Sequence, residues 1–241
     1  MKDFLLILFL IFAGQTLGSL IGLIKNPGKV ALYGSLSFAA SMMIAISFIQ
    51  LIPEGLKYTP LFLITISFFA GVAIMRMVDR LLPHINPELI KKEKPSVKRS
   101  VTMLVIGIAL HNIPEGLAIG VGFALAPELG IAIALAIAIQ DLPENIAVIV
   151  PLYGMIKKKA KSFIILLTTV LFEVFGFILG YLVLGETSLS WLGASLALAA
   201  GFMVYISIEE LIPSAQVNRY PKMAAIAMVL GVICVLLTSL I

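Results

Sequence analysis

Eight long apolar stretches constrain the fold of this chain more than any other feature. They cover about residues 4–24, 30–52, 60–82, 101–124, 130–155, 163–184, 189–211 and 222–241. Each is long enough to cross the hydrocarbon core of a bilayer as a helix. Hydrophobic residues make up 61% of the chain and charged residues 12%, which excludes both a soluble globular protein and a disordered one. The sequence predicts an all-α polytopic membrane protein with eight transmembrane helices, in a single domain over residues 1–241.

The basic residues predict the orientation of these spans. Fifteen of the 17 Lys and Arg residues fall at or near the connections that follow spans 1, 3, 5 and 7, and only Lys2 and Lys57 fall on the other side. Short basic loops are retained in the cytoplasm, so both termini are expected outside it. The longest connection, at about 83–100, is then a cytoplasmic loop.

Two similar segments predict an internal repeat. Ser-Phe-Ile-Gln-Leu-Ile-Pro at 47–53 ends span 2, and Ser-Ile-Glu-Glu-Leu-Ile-Pro at 207–213 ends span 7. Because these spans run in opposite directions, the pair indicates an inverted repeat of helices 1–3 and 6–8 around a central pair of helices 4 and 5. Many secondary transporters are built on such repeats.

A second pair of motifs places polar groups inside apolar helices. His-Asn-Ile-Pro-Glu-Gly at 111–116 lies in span 4, and Gln-Asp-Leu-Pro-Glu-Asn at 140–145 lies in span 5, 29 residues later. Ionisable residues at membrane depth are costly and usually serve function. If the chain turns near 127–130, Glu115 and Gln140 lie at equal depth, close to the midplane. The prolines are expected to kink both helices and to free backbone carbonyls there.

These side chains suit a divalent cation. Glu173 lies near the middle of span 6, where it can join Glu115, Asp141 and Glu144. Four close carboxylates cannot all stay ionised in a low dielectric without a bound cation or protons. The mixture of one imidazole, amides and carboxylates matches the ligands that first-row divalent metals prefer.

The motifs resemble those of the ZIP divalent-metal transporters, in particular the GufA-like bacterial branch. The resemblance covers essentially the whole chain and rests on the HNIPEG hexapeptide, the second proline-glutamate motif and the long loop after span 3. It implies a binuclear metal centre. One implied site consists of His111, Glu115, Gln140 and Glu144. The other consists of Asn112, Glu115, Asp141, Glu144 and Glu173, so that Glu115 and Glu144 bridge the two ions.

Acidic and amide residues near the ends of spans 2 and 7 are candidates for the mouths of a metal pathway. Gln50 and Glu54 are predicted at the outer mouth, and Glu209 and Glu210 at the inner mouth. Negative charge at a vestibule concentrates cations.

The sequence therefore predicts a secondary transporter of the cell membrane that imports divalent metal, most of all Zn²⁺, with Fe²⁺, Mn²⁺ and Cd²⁺ as further substrates. A channel-like metal conductor is an alternative. So is an intramembrane metal-dependent hydrolase, although His111 lacks the second histidine of a His-Glu-x-x-His motif. No enzyme activity and no nucleic-acid partner are expected. The partners are metal ions and the bilayer, and a homodimer is left open.

Overall fold

The computed structural model describes residues 2–25, 27–81 and 97–240. Within these ranges eight helices are long and apolar enough to span a membrane, which confirms the predicted all-α polytopic class. They are α1 Lys2–Lys25, α2 Lys29–Tyr58, α3 Leu61–Leu81, α4 Val97–Leu125, α5 Pro127–Ile156, α6 Lys159–Leu184, α7 Leu189–Ser214 and α8 Pro221–Thr238.

The helix boundaries differ from the predicted ones at two connections. Only Ala126, in an extended conformation, separates α4 from α5, and α5 begins at Pro127. The predicted turn over 127–130 is therefore wrong, because proline is well suited to the first turn of a helix, where its missing N–H costs nothing. The predicted loop at 83–100 is also too long, since α4 begins at Val97. The rest of that loop, residues 83–96, lies outside the described residues.

The two faces of the helix bundle differ in charge. Helices α1, α3, α5 and α7 end at one face, which carries Lys25 and Lys157–Lys159, and we call it the basic face. The opposite face, where α1 begins and α8 ends, is called the terminal face.

Glycines set how α1 packs against α5 and how α6 packs against α4. A Cβ atom on Gly14 of α1 would lie 3.0 Å from the Cβ of Asp141, and one on Gly18 would lie 3.0 Å from the Cβ of Asn145. A Cβ on Gly116 of α4 would come within 2.8 Å of the carbonyl carbon of Glu173. Small residues spaced by four allow helix backbones in membranes to approach this closely. Each of the two motif helices is therefore packed closely against one outer helix through glycines, α5 against α1 and α4 against α6.

The helix pairings follow the predicted repeat. Three pairs of contacts correspond to one another. Helix α1 packs on α5, as α6 packs on α4. Helix α8 packs on α2, as α3 packs on α7, and α2 contacts α5, as α7 contacts α4. Exchanging α1–α3 with α6–α8, and α4 with α5, converts each of these pairings into another.

The two similar segments also have the same local structure. Ile46–Leu51 of α2 and Ser207–Leu211 of α7 are both π-helical. The hydroxyls of Ser47 and Ser207 each donate to the carbonyl four residues earlier, at 2.8 Å. The repeat seen in the sequence is thus matched by a repeat in backbone geometry.

Candidate metal site

Three buried carboxylates form the centre of the site. Glu115 lies on α4, and Asp141 and Glu144 lie on α5. Each offers an oxygen atom, and these three oxygens lie within 4.8 Å of one another. The side chains are all buried. An uncompensated group of carboxylates in a low dielectric is strongly unfavourable, so the arrangement requires a cation or protons.

Gln140 joins the two motif helices. Its Nε2 atom donates to Oε1 of Glu115 at 2.5 Å and lies 3.5 Å from Oε2 of Glu144. The predicted equal depth of Glu115 and Gln140 is consistent with the first of these contacts. Oε1 of Gln140 and Oδ2 of Asp141 are buried without a hydrogen-bond partner among the described residues. Buried polar atoms normally have a partner, so these oxygens are free to take a ligand.

His111 lies one helical turn before Glu115 and faces the basic side of the cluster. Its Nδ1 atom is 3.5 Å from Oε2 of Glu210 on α7. Its Nε2 atom is buried, with no hydrogen-bond partner in the described part of the chain. The imidazole therefore connects the cluster with the end of α7 and keeps one nitrogen available.

The remaining predicted ligands, Asn112 and Glu173, lie where α4 meets α6. The Nδ2 atom of Asn112 donates to the backbone carbonyl of Thr169 at 3.0 Å. Glu173 is fully buried and accepts a hydrogen bond at 2.5 Å from Nε2 of Gln15 on α1. Glu173 is not one of the three carboxylates grouped within 4.8 Å, so it borders that group rather than belonging to it.

Three polar residues next to the site were not predicted. Gln15 and Thr169 contact Glu173 or Asn112, as described above. Asn145 ends the α5 motif and donates to the carbonyl of Asp141 at 3.0 Å. Gln15 carried a usable signal, since it is an amide in the middle of an apolar span. Nothing in the sequence indicated which helix it would face.

A cavity of about 540 Å³ runs from the site towards the basic face. Its walls include His111 and Glu144 at the deep end and Glu209 and Glu210 of α7. The two residues predicted for the inner mouth therefore share a cavity with two predicted ligands.

The residues predicted for the outer mouth have other surroundings. Gln50 is buried, and its Nε2 atom lies 3.4 Å from Oγ1 of Thr238. Glu54 pairs with Lys57 at 2.6 Å. Both lie in the part of α2 nearest the terminal face, and neither is among the residues that line the cavity.

Comparison with known proteins identifies the family. Residues 88–239 match the ZIP zinc transporter family. The chain is 33% identical over 227 residues to the zinc transporter ZupT of Salmonella arizonae, an alignment that covers 88% of this chain and 86% of the relative. The identity to ZupT of Salmonella heidelberg is 32% over the same coverage. The chain belongs to the ZIP family.

Membership of the ZIP family decides between classes of protein. ZIP proteins are membrane transporters, so the chain is a transporter and not an enzyme, as predicted. The alternative of an intramembrane hydrolase is thereby excluded. The match to the ZIP family includes α4, α5 and α6, the helices that carry the seven predicted ligands.

Proposed function

We propose that this ZIP-family chain is a secondary transporter that carries divalent metal, most of all Zn²⁺, into the cytoplasm. Fe²⁺, Mn²⁺ and Cd²⁺ are further substrates. The observation that carries the proposal is the buried group of Glu115, Asp141 and Glu144, whose oxygens lie within 4.8 Å of one another inside membrane-spanning helices.

The donor set favours a divalent metal over an alkali ion. Carboxylate oxygens, amide oxygens and an imidazole nitrogen together suit borderline cations such as Zn²⁺ and Fe²⁺. For Gln140 to act as a ligand, its amide must turn so that Oε1 replaces Nε2 next to the carboxylates. Oε1 has no partner to lose among the described residues.

Two ions fit this donor set better than one. In the proposed arrangement the first ion is held by His111, Glu115, Gln140 and Glu144. The second ion is held by Asn112, Glu115, Asp141, Glu144 and Glu173. Glu115 and Glu144 are shared in this arrangement, as the resemblance to the ZIP transporters implies, and both belong to the group of three close carboxylates. Each metal then neutralises part of the buried negative charge.

The proposed path leads from the site to the basic face. The cavity beside His111 and Glu144 opens between α4, α5 and α7, and Glu209 and Glu210 give it negative charge that attracts a departing cation. The positive-inside rule assigns the basic face to the cytoplasm. The cavity is then open to the cytoplasm, and both termini lie on the outer side of the cell membrane. Gln50 and Glu54 are proposed for the opposite, loading side.

A carrier explains the terminal side of the site better than a channel does. Ile119 lies one turn from Glu115, and Ile133 and Ile137 lie one to two turns from Gln140; all three are fully buried. Phe123 packs against Tyr181 further out, with ring centroids 4.9 Å apart. In this proposal these apolar side chains close the terminal side of the site, and the metal reaches the site in a second conformation.

Uptake by purified protein tests this function. We expect proteoliposomes that contain a zinc-sensitive dye to show saturable Zn²⁺ uptake without ATP. Empty liposomes and liposomes with Glu144→Ala should show only the leak. A Glu128→Ala control, which removes an exposed carboxylate from the first turn of α5, should keep full uptake. Equal uptake with and without the protein would refute the proposal, and uptake that never saturates would indicate a channel.

A further inference from the structure

Helix α1 contributes one amide to the region of the proposed second ion. Gln15 lies midway along α1 and is only 2% exposed. It follows directly after Gly14, whose close contact with Asp141 brings α1 against α5. A buried amide in a bilayer needs hydrogen-bond partners, and those of Gln15 lie on a third helix, α6.

The contacts of Gln15 fix one oxygen of Glu173 and leave the other free. Nε2 of Gln15 donates to Oε2 of Glu173 at 2.5 Å. Oε1 of Glu173 is buried and has no hydrogen-bond partner among the described residues. A carboxylate held by one oxygen in this way has a defined orientation, and its second oxygen can act as a ligand.

Gln15 also contacts an irregular turn of α6. At Thr168 and Thr169 the ψ angles are −20° and −22°, and the N–H of Phe172 donates to the carbonyl of Thr169, three residues earlier, at 3.0 Å. This is a tight 3₁₀-like turn within the helix. Oγ1 of Thr169 lies 3.5 Å from Oε1 of Gln15.

The same turn receives Asn112 from the other side. The carbonyl of Thr169 accepts the hydrogen bond from Nδ2 of Asn112. Gln15 and Asn112 thus meet at the turn that precedes Glu173 by four residues. Two of the proposed ligands of the second ion, Asn112 and Glu173, are linked through this turn to one side chain of α1.

We propose that Gln15 is a positioning residue for the second metal ion. It orients Glu173 through the hydrogen bond to Oε2, so that Oε1 faces the ion. Through its contact with Thr169 it also stabilises the turn whose carbonyl accepts the hydrogen bond from Asn112. This inference rests on the proposed binuclear metal site. Residues that orient metal ligands in this way typically change metal affinity by about 10–100-fold when they are replaced.

Metal binding to purified protein tests the proposal. Isothermal titration with Zn²⁺ should give two ions per chain for the wild type. Gln15→Met, which keeps the size of the side chain but removes the amide, should bind the first ion normally and the second about 10–100-fold more weakly. Ser19→Ala, one turn along α1 and equally buried, should bind both ions as the wild type does.

A double-mutant cycle separates positioning from simple packing of α1. If Gln15 acts through Glu173, Gln15→Met should change kcat/KM for zinc uptake much less in a Glu173→Gln background than in the wild type. Fully additive effects would overturn the proposal. Gln15→Asn keeps an amide but shortens the side chain by one CH₂ group, and it should also lower the affinity for the second ion.

The outcomes distinguish this inference from the proposed function. A folded wild type that binds no zinc would refute the metal site itself. A wild type that binds two ions, together with a folded Gln15→Met or Gln15→Asn protein that binds both with unchanged affinity, would overturn only the role of Gln15.

Discussion

Glu115 and Glu144 are the residues on which the proposed chemistry depends most. Each is buried, and each is proposed to bind both ions. Gln140 differs from them because it is neutral, and a neutral amide is a weaker ligand than a carboxylate for a divalent cation. The amide of Gln140 also donates a hydrogen bond to Glu115 and so orients that carboxylate. An ionised carboxylate at position 140 could not donate such a bond.

Replacement of these residues should therefore have graded effects. We expect Glu115→Ala and Glu144→Ala each to reduce zinc uptake by more than about 100-fold, and Gln140→Ala to reduce it by about 10-fold. The measurement is the initial rate of uptake into proteoliposomes that contain equal amounts of inserted protein. Wild-type uptake by a correctly inserted Glu115→Ala protein would refute the bridged pair of ions.

Zinc uptake should also depend on pH. Carboxylates bind metal only after losing their protons, so protons compete with the metal for Glu115, Asp141, Glu144 and Glu173. Lowering the pH on the loading side by about one unit should raise the KM for zinc several-fold. A dye inside the vesicles would report any accompanying proton movement. A constant KM without proton movement would favour a channel-like path lined by permanently ionised carboxylates.

At the scale of the helices, close backbone contacts hold the ligands at their positions. Gly116 is next to Glu115 in the chain, and it packs against the backbone of Glu173. A side chain there must push α4 and α6 apart, which would separate proposed ligands that lie on the two helices. The glycines of the motif region are thus needed for the geometry of the site as well as for packing.

Substitution of Gly116 should accordingly affect stability and uptake together. Gly116→Ala is expected to destabilise the protein by about 1–3 kcal/mol through overpacking and to reduce zinc uptake. Gly154→Ala in α5 is the matched control, since a Cβ there would have no neighbour within 4 Å. Thermal unfolding in detergent measures the first effect. Equal melting temperatures for the two variants would contradict the close packing of α4 on α6.

The sequence predicted the existence and approximate limits of the helices because membrane spans have a strong hydrophobic signal. The repeat in α2 and α7 was also visible, because both segments keep the same serine and Leu-Ile-Pro pattern. The π-helical geometry of these segments and the tight turn at Thr168–Thr169 were not predicted. The carbonyl at the tight turn accepts a hydrogen bond from Asn112 of another helix, a contact that the sequence does not indicate.

At the scale of the whole molecule, the distribution of basic residues predicts how the chain is oriented in the membrane. In a Cys234→Ala background, which removes the one native cysteine, single cysteines at Lys94 or Lys159 should react with an impermeant reagent only from the cytoplasm. A cysteine at Thr187 should react only from outside. The reason is the strong preference of basic connections for the cytoplasm. Labelling from the reversed sides would contradict both the topology and the proposed direction of transport.

Which helices become neighbours could be predicted only in part. The sequence predicted a short turn between α4 and α5, so their contact, and the meeting of Glu115 with Gln140, was accessible from the sequence. The contact of α1 with α5 was not, because both are apolar over most of their length and periodicity does not name a partner. The position of Gln15 next to Glu173 depends on that packing, which explains why the residue was missed.

Anomalous diffraction from crystals grown with Zn²⁺ tests the binuclear site most directly. The predicted result is two peaks between α4 and α5, about 3.5–4 Å apart as in other two-metal sites. Glu115 and Glu144 should contact both peaks, and Glu173 should contact only one. A single peak, or peaks remote from these carboxylates, would contradict the proposed site.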